Sequence, residues 1–489
     1  MDNSNKTPYI LITITVFLLA VSLTVLFTQK KSAEITPLLT DAEAQELDLK
    51  LPENSAAQSY QNLLIEGDLN FADRNYKRAL AYYIAAYKIN QNALTPYLKI
   101  INVYLTTENY EIAKKNIDLA KEKSPGNQDV IRYEVSLLLA QENVDDALKI
   151  IEPINPVTEQ LKLYHIIALM LKSDHQTAKK ELAELNKVTS DKQISKVSLD
   201  LTNNYEIYST FETGNDAYLD TLIGQTLINF GETKIARSFF YRAIQKSNDY
   251  RDAWIGLGYA FLRIKNYTEA EEALNRAKQV DPYKAEIYFY LSLVATEQGN
   301  HSRALGLLTQ AKNYNYNNSI ELAEHFANNY YALKNYQEAI ANFELVINAK
   351  TVPITYYIAP IWIHLEQTKD YQKALTIAQK ALEKYPDNAY SYNYLGWINI
   401  YQGNYDEAKN NLTTAISKNP QLAPAYLNFG QLYLRQGKNE AALPFFEKAK
   451  TLALVTKDDS IYQKANSEII RLNSLNNLNS SNQPTTTSP

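Results

Sequence analysis

The amino-acid sequence predicts an all-α fold built from repeated helix pairs. Its 489 residues include few turn formers, 13 Gly and 16 Pro, whereas typical proteins contain about 7% Gly and about 5% Pro. A small residue recurs in one register at intervals of 34 or 35 residues along most of the chain. Between these positions, apolar residues follow the i, i+3, i+4, i+7 pattern of a helix face. We therefore expect one long repeat array rather than three separate domains.

The repeat register is marked by an alanine in the second helix of each predicted pair. Eight of the ten intervals between markers are 34 or 35 residues, and the other two are 31 and 58 residues. About eleven repeats are expected, with an inserted or degenerate helical segment inside the 58-residue interval. The markers are Ala79, Ala113, Ala147, Ala178, Ala236, Ala270, Ala304, Ala339, Ala374, Ala408 and Ala442.

One stretch carries the repeat motif in full, and two later stretches carry most of it. The motif recurs from Tyr392 and from Tyr426, although Asn399 stands where an aromatic or large apolar residue is usual. The first stretch contains Trp254, Leu257, Gly258, Phe261, Ala270, Leu274, Ala277 and Pro282. This pattern resembles the tetratricopeptide repeat, a helix–turn–helix unit of 34 residues. The resemblance implies an α-α solenoid, a right-handed superhelix of stacked helix pairs with a concave protein-binding surface.

Residue sizes within the motif have a packing explanation. Gly258 and Ala270 are small because the two helices of one repeat are expected to cross closely there. Trp254 and Tyr392 are interpreted as core residues, because each helix pair leaves an apolar face that its neighbour must cover. Pro360 falls inside a predicted first helix and should kink it.

The first 31 residues differ from the repeats. Nineteen residues from Tyr9 to Phe27 carry no charge. A helix of this length spans about 28 Å, close to the ~30 Å hydrocarbon core of a bilayer. Lys30 and Lys31 follow the span, where a cleaved signal peptide would need small residues. The sequence therefore predicts an N-terminal transmembrane helix that anchors the chain in a single pass.

The side of the membrane is weakly determined. One lysine precedes the span and two follow it, so the charge difference does not decide the orientation. A short N-terminal tail is common in signal anchors that export their C-terminal part. The hypothesis is therefore an inner-membrane protein whose repeats face the periplasm.

The sequence divides into seven predicted segments. Residues 32–58 are acidic, contain two prolines and are interpreted as a flexible tether with a reach of roughly 30 Å. The segments are 1–31 (tail and anchor), 32–58 (tether), 59–186 (about four repeats), 187–215 (inserted or degenerate helical segment), 216–455 (about seven repeats), 456–475 (capping helix) and 476–489 (disordered tail). Whether residues 187–215 form a hinge is left open by the sequence.

The residue types that carry catalysis show no recognisable arrangement. The chain has no Cys, which excludes disulfides, thiolate metal sites and a Cys nucleophile. No two of the five histidines have the spacing of a helical zinc motif. No phosphate-binding glycine loop or nucleophile elbow occurs either. We therefore expect a non-enzymatic protein without a cofactor or metal. The net charge of −5 argues against nucleic-acid binding, which needs a basic face.

Binding residues follow from the resemblance, which implies that defined positions of the first helices line the concave surface. These positions are rich in aromatic and amide side chains, which suit an extended peptide. No Lys occupies the position after the Trp254-type site, so a carboxylate clamp for chaperone tails is not expected. The predicted binding residues are Asn102, Tyr259, Arg263, Phe289, Asn328, Tyr331, Asn393, Trp397, Tyr401, Gln431 and Arg435. A wider set on the same face includes Gln367.

The sequence favours a membrane-anchored scaffold that binds proteins or extended peptides. A resemblance to bacterial envelope scaffolds suggests assembly of a pilus, secretion or polysaccharide-export complex. The alternative is a regulatory or assembly subunit that docks on a membrane enzyme through its transmembrane helix. Thr13, Ala20 and Thr24 would then form the contact face. The sequence leaves open whether the chain forms a homo-oligomer.

Overall fold

The computed structural model describes residues 59–72, 74–210, 216–456 and 458–481. Within these ranges the chain forms twenty-four α-helices and no β-strand, which confirms the predicted all-α repeat fold. The predicted anchor, the tether and residues 482–489 lie outside the described residues. None of the helices that the structure describes combines the length and the hydropathy needed to cross a bilayer.

The chain divides into two compact units between residues 137 and 138. The first unit contains α1 (Tyr60–Ala72), α2 (Tyr76–Ile89), α3 (Leu94–Thr106), α4 (Tyr110–Lys123) and most of α5 (Gln128–Ala140). In its core the ring of Tyr83 lies against the backbone of Gly67, and the hydroxyl donates to Asp68 at 2.7 Å. A side chain larger than hydrogen at Gly67 would collide with this ring, so the glycine permits the close crossing of α1 and α2.

The second unit contains the remaining helices. They are α6 (Val144–Ile151), α7 (Glu159–Leu171), α8 (His175–Val188), α9 (Lys192–Ser209), α10 (Asp216–Phe230), α11 (Thr233–Lys246), α12 (Arg251–Arg263), α13 (Tyr267–Val280), α14 (Ala285–Glu297), α15 (His301–Asn313), α16 (Ser319–Ala332), α17 (Tyr336–Ala349), α18 (Ile358–Trp362), α19 (Tyr371–Lys384), α20 (Ala389–Gln402), α21 (Tyr405–Lys418), α22 (Ala423–Arg435), α23 (Asn439–Thr456) and α24 (Asp459–Ser481).

All eleven marker alanines are fully buried, at 0% exposure each. Each of them lies in the second helix of a pair, where the first helix of the same pair crosses it. The glycines opposite show how close this crossing is, because a Cβ on Gly258 or on Gly396 would lie 2.6 Å from Cγ of Leu274 or of Leu412. The prediction that Gly258 marks a close helix contact is confirmed.

The aromatic residue near the start of the first helix makes a recurring backbone contact. Trp254 Nε1 donates to the carbonyl oxygen of residue 248 at 2.8 Å. Tyr288 and Tyr426 donate in the same way to the carbonyls of residues 282 and 420, at 2.6 and 3.0 Å. In each case the acceptor lies six residues earlier in the preceding loop. These aromatic side chains therefore connect successive repeats, which agrees with a structural role for Trp254.

The 31-residue interval between two markers has a local cause. Helix α6 has 8 residues, whereas α4 has 14. The loop that follows α6 covers residues 152–158, whereas the loop that follows α4 covers residues 124–127. Six fewer helical residues and three more loop residues account for the shorter repeat.

The first helix of the ninth repeat is irregular around Pro360, as predicted. A 3₁₀ turn (Ile354–Tyr357) precedes α18, and a π turn (Ile363–Gln367) follows it. A π turn accommodates one residue more than an α turn, which matches the 35-residue interval from Ala339 to Ala374.

The 58-residue interval contains one added helix, α9, between the α7–α8 pair and the α10–α11 pair. Polar side chains connect α9 to both neighbouring pairs. Asn204 Nδ2 donates to Thr226 Oγ1 on α10 at 2.8 Å, and Ser198 Oγ donates to Asn186 Oδ1 on α8 at 2.5 Å. The hydroxyl of Tyr205 lies 2.9 Å from Nδ1 of His175. The added helix is thus packed on both sides.

The last helix differs from the prediction at its end. Helix α24 continues to Ser481, whereas the sequence predicted a capping helix ending at residue 475 and a disordered tail from residue 476. Ala465 and Leu472 are buried against α22 and α23. Once this packing has formed the helix, each further residue adds a backbone hydrogen bond, so residues 476–481 can continue it.

Candidate protein-binding surface

Five of the predicted binding residues lie on two neighbouring first helices, α20 and α22. Four of them, Trp397, Tyr401, Gln431 and Arg435, are called the α20–α22 surface below. Three of them are partly buried and Arg435 is exposed. Each side chain therefore offers some area to a partner while its orientation is restrained by the neighbouring helices.

Tyr401 connects three repeats. Its hydroxyl donates to the carboxylate of Glu366 in the π turn of the preceding repeat. The guanidinium of Arg435, from the following repeat, lies 5.5 Å from the centre of the Tyr401 ring, a cation–π distance. Burial and the hydrogen bond to Glu366 both raise the pKa of the Tyr401 phenol above its usual value. The phenol therefore remains a protonated donor at neutral pH.

Trp397 and Gln431 have different surroundings. Trp397 is partly buried and packs against a core cluster that includes Tyr394 and Ile398. Gln431 Nε2 donates to Glu468 Oε1 on α24 at 3.2 Å. The indole therefore has a rigid apolar base, and the amide is positioned by the last helix of the chain.

Two further predicted residues lie on α16. Asn328 is exposed, and Tyr331 is 36% exposed. The ring of Tyr331 lies 5.9 Å from that of Trp362 in an edge-to-face arrangement. Edge-to-face aromatic pairs are favourable beyond the area they bury, so Tyr331 is held in place although about a third of it is exposed.

The predicted residues on α12 make contacts within the array. The Tyr259 ring lies 4.9 Å from the ring of Tyr290 on α14. The Arg263 guanidinium donates to the carbonyl oxygen of Ile228 at 3.4 Å, near the end of α10, where carbonyls lack helical partners. Both side chains are partly buried. Part of each side chain therefore contacts a neighbouring repeat.

Two predicted residues require a correction. Phe289 is 2% exposed and stacks on Tyr316 at 4.4 Å between ring centres. Asn393 is 3% exposed, and its Oδ1 accepts a hydrogen bond from Asn428 at 2.9 Å. Neighbouring repeats cover both side chains, so they contribute to packing between repeats rather than to an accessible surface.

Asn102 is the predicted residue in the first unit. It lies on α3 and is partly buried, and its carbonyl oxygen accepts a hydrogen bond from the Thr106 hydroxyl at 2.8 Å. The contacts described for this unit do not bring Asn102 together with another predicted residue.

Glu366 was missed by the sequence analysis, which placed Gln367 on the binding face. The π turn adds one residue to this helix, and the position that meets Tyr401 is therefore one residue earlier. The 35-residue interval from Ala339 to Ala374 was the available signal. The interval alone does not say where in the repeat the additional residue lies.

The histidines make polar contacts with protein groups. Nδ1 of His165 lies 2.8 Å from Oε2 of Glu181, which also pairs with Lys162 at 2.8 Å. His364 is 2% exposed, and burial lowers the pKa of its imidazole. Burial likewise lowers the pKa of His325. Among the described residues no group of three or more His, Asp or Glu has the arrangement of a metal site.

Family models agree with this architecture. Models described as tetratricopeptide repeat match residues 228–291 and 399–463, residues 377–410, and residues 362–388. Another, described as anaphase-promoting complex, cyclosome, subunit 3, matches residues 264–345. The matches support the tetratricopeptide repeat family for this chain, and with it a protein-interaction scaffold.

Curated relatives match a short part of the chain. Cilia- and flagella-associated protein 70 from Macaca fascicularis is 43% identical over 51 residues, which are 10% of this chain and 5% of that protein. The Homo sapiens protein of the same name is 43% identical over 51 residues, 10% of this chain and 4% of that protein. The chain thus matches about a twentieth of the length of these relatives.

Solved structures with similar folds are distant in sequence. A tetratricopeptide repeat protein from Parabacteroides merdae is 16% identical, with a TM-score of 0.37, covering 52% of this chain and 99% of that chain. The Cut9–Hcn1 tetramer of the APC/C is 13% identical, with a TM-score of 0.34, covering 87% and 98%. The PilF protein of Pseudomonas aeruginosa is 19% identical, with a TM-score of 0.34, covering 45% and 98%.

Proposed function

We propose that the protein is a membrane-anchored scaffold that captures protein partners through the α20–α22 surface. The observation that carries this proposal is the position of Tyr401, between the Glu366 carboxylate and the Arg435 guanidinium. The side chain is fixed by contacts from two neighbouring repeats. Binding therefore costs little side-chain entropy at this position.

An extended peptide is the ligand class that suits this chemistry. The partly buried rings of Trp397 and Tyr401 provide apolar contact area with few rotatable bonds. Arg435 is exposed and can donate to a peptide carbonyl or carboxylate. The surface thus combines aromatic contacts with a donor at its edge, as interface hot spots commonly do.

Affinity capture from solubilised membranes tests the proposal. The wild-type chain and the Trp397→Ala/Tyr401→Ala double variant are compared, with bound proteins quantified by mass spectrometry. Partners of this surface should be depleted at least tenfold in the double variant, because two aromatic contacts at a hot spot contribute more than about 1.4 kcal/mol.

Tyr283→Ala is the matched control, because Tyr283 is a 71% exposed tyrosine on a loop between repeats. Circular dichroism of all three proteins should give the same helical content. Equal recovery of every partner by the wild type and a folded double variant would remove the α20–α22 surface as the capture site.

The anchor and the cellular role belong to the same proposal. The uncharged span from residue 9 to residue 27 supports membrane attachment, and an inner-membrane location with periplasmic repeats follows from the signal-anchor hypothesis. We propose a role in assembling a cell-envelope complex. Deletion of residues 1–31 should release the protein from carbonate-washed membranes. Protease digestion of spheroplasts should degrade the repeats if they face the periplasm and spare them if they face the cytoplasm.

A further inference from the structure

Helix α11 makes contacts that do not follow from simple stacking of adjacent repeats. Ser238 Oγ on α11 donates to Oε1 of Glu142 at 3.1 Å, over 96 positions of the chain. The Tyr164 hydroxyl on α7 donates to Glu232, at the start of α11, over 68 positions. Helix α11 therefore lies against α7 and against the turn that follows α5. The short α6 and the added α9 are the two local departures from the repeat pattern in this region.

Arg242 on α11 makes the most extensive of these contacts. Its Nη1 donates to the carbonyl oxygens of Met170 and Leu171 at 3.0 and 2.9 Å, and its Nη2 donates to Ser173 Oγ at 2.9 Å. Met170 and Leu171 are the last residues of α7. The last carbonyls of a helix carry partial negative charge, which a guanidinium stabilises. The Met170 carbonyl also accepts from the Ser173 N–H at 3.0 Å, so Arg242 is its second donor.

The charge of Arg242 is balanced by Asp220 on α10, the partner helix of α11. Arg242 Nη2 lies 3.2 Å from Asp220 Oδ1, and Lys246 Nζ lies 2.9 Å from Asp220 Oδ2. The Asp220 side chain is 1% exposed, whereas that of Arg242 is 19% exposed. A buried carboxylate needs a charged partner, so Asp220 keeps the guanidinium at the position from which it reaches the end of α7.

The contact contains a cleft beside its hydrogen bonds. A cleft of about 240 Å³ lies within it, lined by residues that include Glu142, Leu171, Ser238 and Arg242. Helix pairs elsewhere in the array meet through buried alanine and leucine side chains. At this contact, by comparison, hydrogen-bonding side chains of α11 line a cleft.

We propose that Arg242 is a latch that holds α11 against the end of α7 and that opens as a unit when its bonds are broken. The latch sets the angle between the α7–α8 pair and the α10–α11 pair. When it opens, the two pairs change their angle about α9, the helix between them. This conformational device is independent of the proposed capture of partners by the α20–α22 surface.

Distance measurements between two spin labels test the latch. Labels are attached in the full chain at Gln141→Cys, in the turn after α5, and at Thr268→Cys, on α13, which are both exposed positions. The chain has no cysteine of its own, so each label has one attachment site. Arg242→Met should give a longer and broader distance distribution than the same doubly labelled chain with Arg242 intact. Arg303→Met is the matched control, because Arg303 pairs with Glu271 between adjacent repeats at 2.5 Å, and it should leave the distribution unchanged.

Asp220→Asn provides a second variant in case the Arg242 variant loses helical content. It keeps the size and the hydrogen-bonding capacity of the side chain and removes the charge that positions Arg242. A longer and broader distribution in folded Arg242→Met supports the latch, as does the same result in Asp220→Asn where Arg242→Met loses helical content. A distribution identical to that of the parent in folded Arg242→Met would overturn it, as would an equal shift in the Arg303 control.

Discussion

The side chain of Leu274 occupies the space beside Gly258. A Cβ on Gly258 would lie 2.6 Å from Cγ of Leu274 and 3.2 Å from the carbonyl oxygen of Ala270. Neither atom is the end of a flexible side chain, so the helices α12 and α13 would have to move apart to admit a larger residue.

Gly258→Leu is therefore expected to destabilise the protein by about 1–3 kcal/mol through overpacking. The measurement is a urea unfolding curve followed by circular dichroism. Gly306→Ala is the control, because no atom lies within 4 Å of a Cβ at that helical position. It should leave the stability unchanged or raise it by up to about 1 kcal/mol, since alanine is the better helix former. An unchanged curve for Gly258→Leu would show that the helix contact is elsewhere.

Asn329 and Asn328 are neighbours with opposite expected effects. The Asn329 side chain is fully buried, and its Oδ1 lies 3.0 Å from the Thr296 hydroxyl and 2.9 Å from Nδ1 of His301. Asn329→Ala should cost about 1–3 kcal/mol, because these polar groups lose their partner in a buried site. Asn328 is exposed, and Asn328→Ala should change the stability by less than about 0.5 kcal/mol. Equal unfolding midpoints for the two variants would contradict this assignment.

Tyr401→Phe distinguishes the contribution of the Tyr401 ring from that of its hydroxyl. The variant keeps the aromatic area and loses the hydrogen bond to Glu366, whose side chain is 33% exposed. We expect a loss of about 0.5–1.5 kcal/mol in stability, with water replacing part of the bond. Partner capture should remain closer to that of the wild type than in Tyr401→Ala. Equal loss of capture by the two variants would mean that the hydroxyl, rather than the ring, is what the partner needs.

His364 should make the stability dependent on pH. Burial lowers the pKa of this imidazole in the folded protein, partly offset by Glu344 and Asp370, whereas Lys373 lowers it further. An unfolded histidine titrates near pH 6.5. The unfolded state therefore binds this proton first as the pH falls, and the contribution of His364 opposes folding below about pH 6.5.

His364→Gln should accordingly lose less stability than the wild type between pH 7.5 and pH 5.5, about the window in which an unfolded histidine titrates. Urea midpoints at the two pH values provide the measurement, and the comparison between proteins cancels the titration of shared carboxylates. A larger acid-dependent loss in the variant would contradict the assigned direction of the pKa shift.

The helical repeats were predictable from the sequence because their determinants are local and periodic. The alanine markers, Gly258 and the aromatic residue at the start of the first helix recur at fixed spacings, and each spacing follows from two helices that must cross at short range. The irregular helix around Pro360 was predictable for the same reason, since proline removes a hydrogen-bond donor.

The candidate surface was only partly predictable. Tyr401, Trp397 and Arg435 are at least partly exposed on α20 and α22. Phe289 and Asn393, at the position directly after the Trp254-type site, are buried. Burial at these two positions depends on residues such as Tyr316 and Asn428, which come from the following repeat or the loop before it. A position within a repeat specifies a helix face, but the neighbouring side chains decide how much of that face remains exposed.

The sequence by itself determined the class of fold, the helix pairs and the residues at which helices cross. The tertiary structure alone decided the course of the chain after α9, where Arg242 reaches the end of α7 across about 70 positions. The physical reason is the range of the interactions. Helix pairing is set by contacts within some 34 residues and leaves a period in the sequence. A single guanidinium that binds distant carbonyls and a buried carboxylate leaves no period in the sequence.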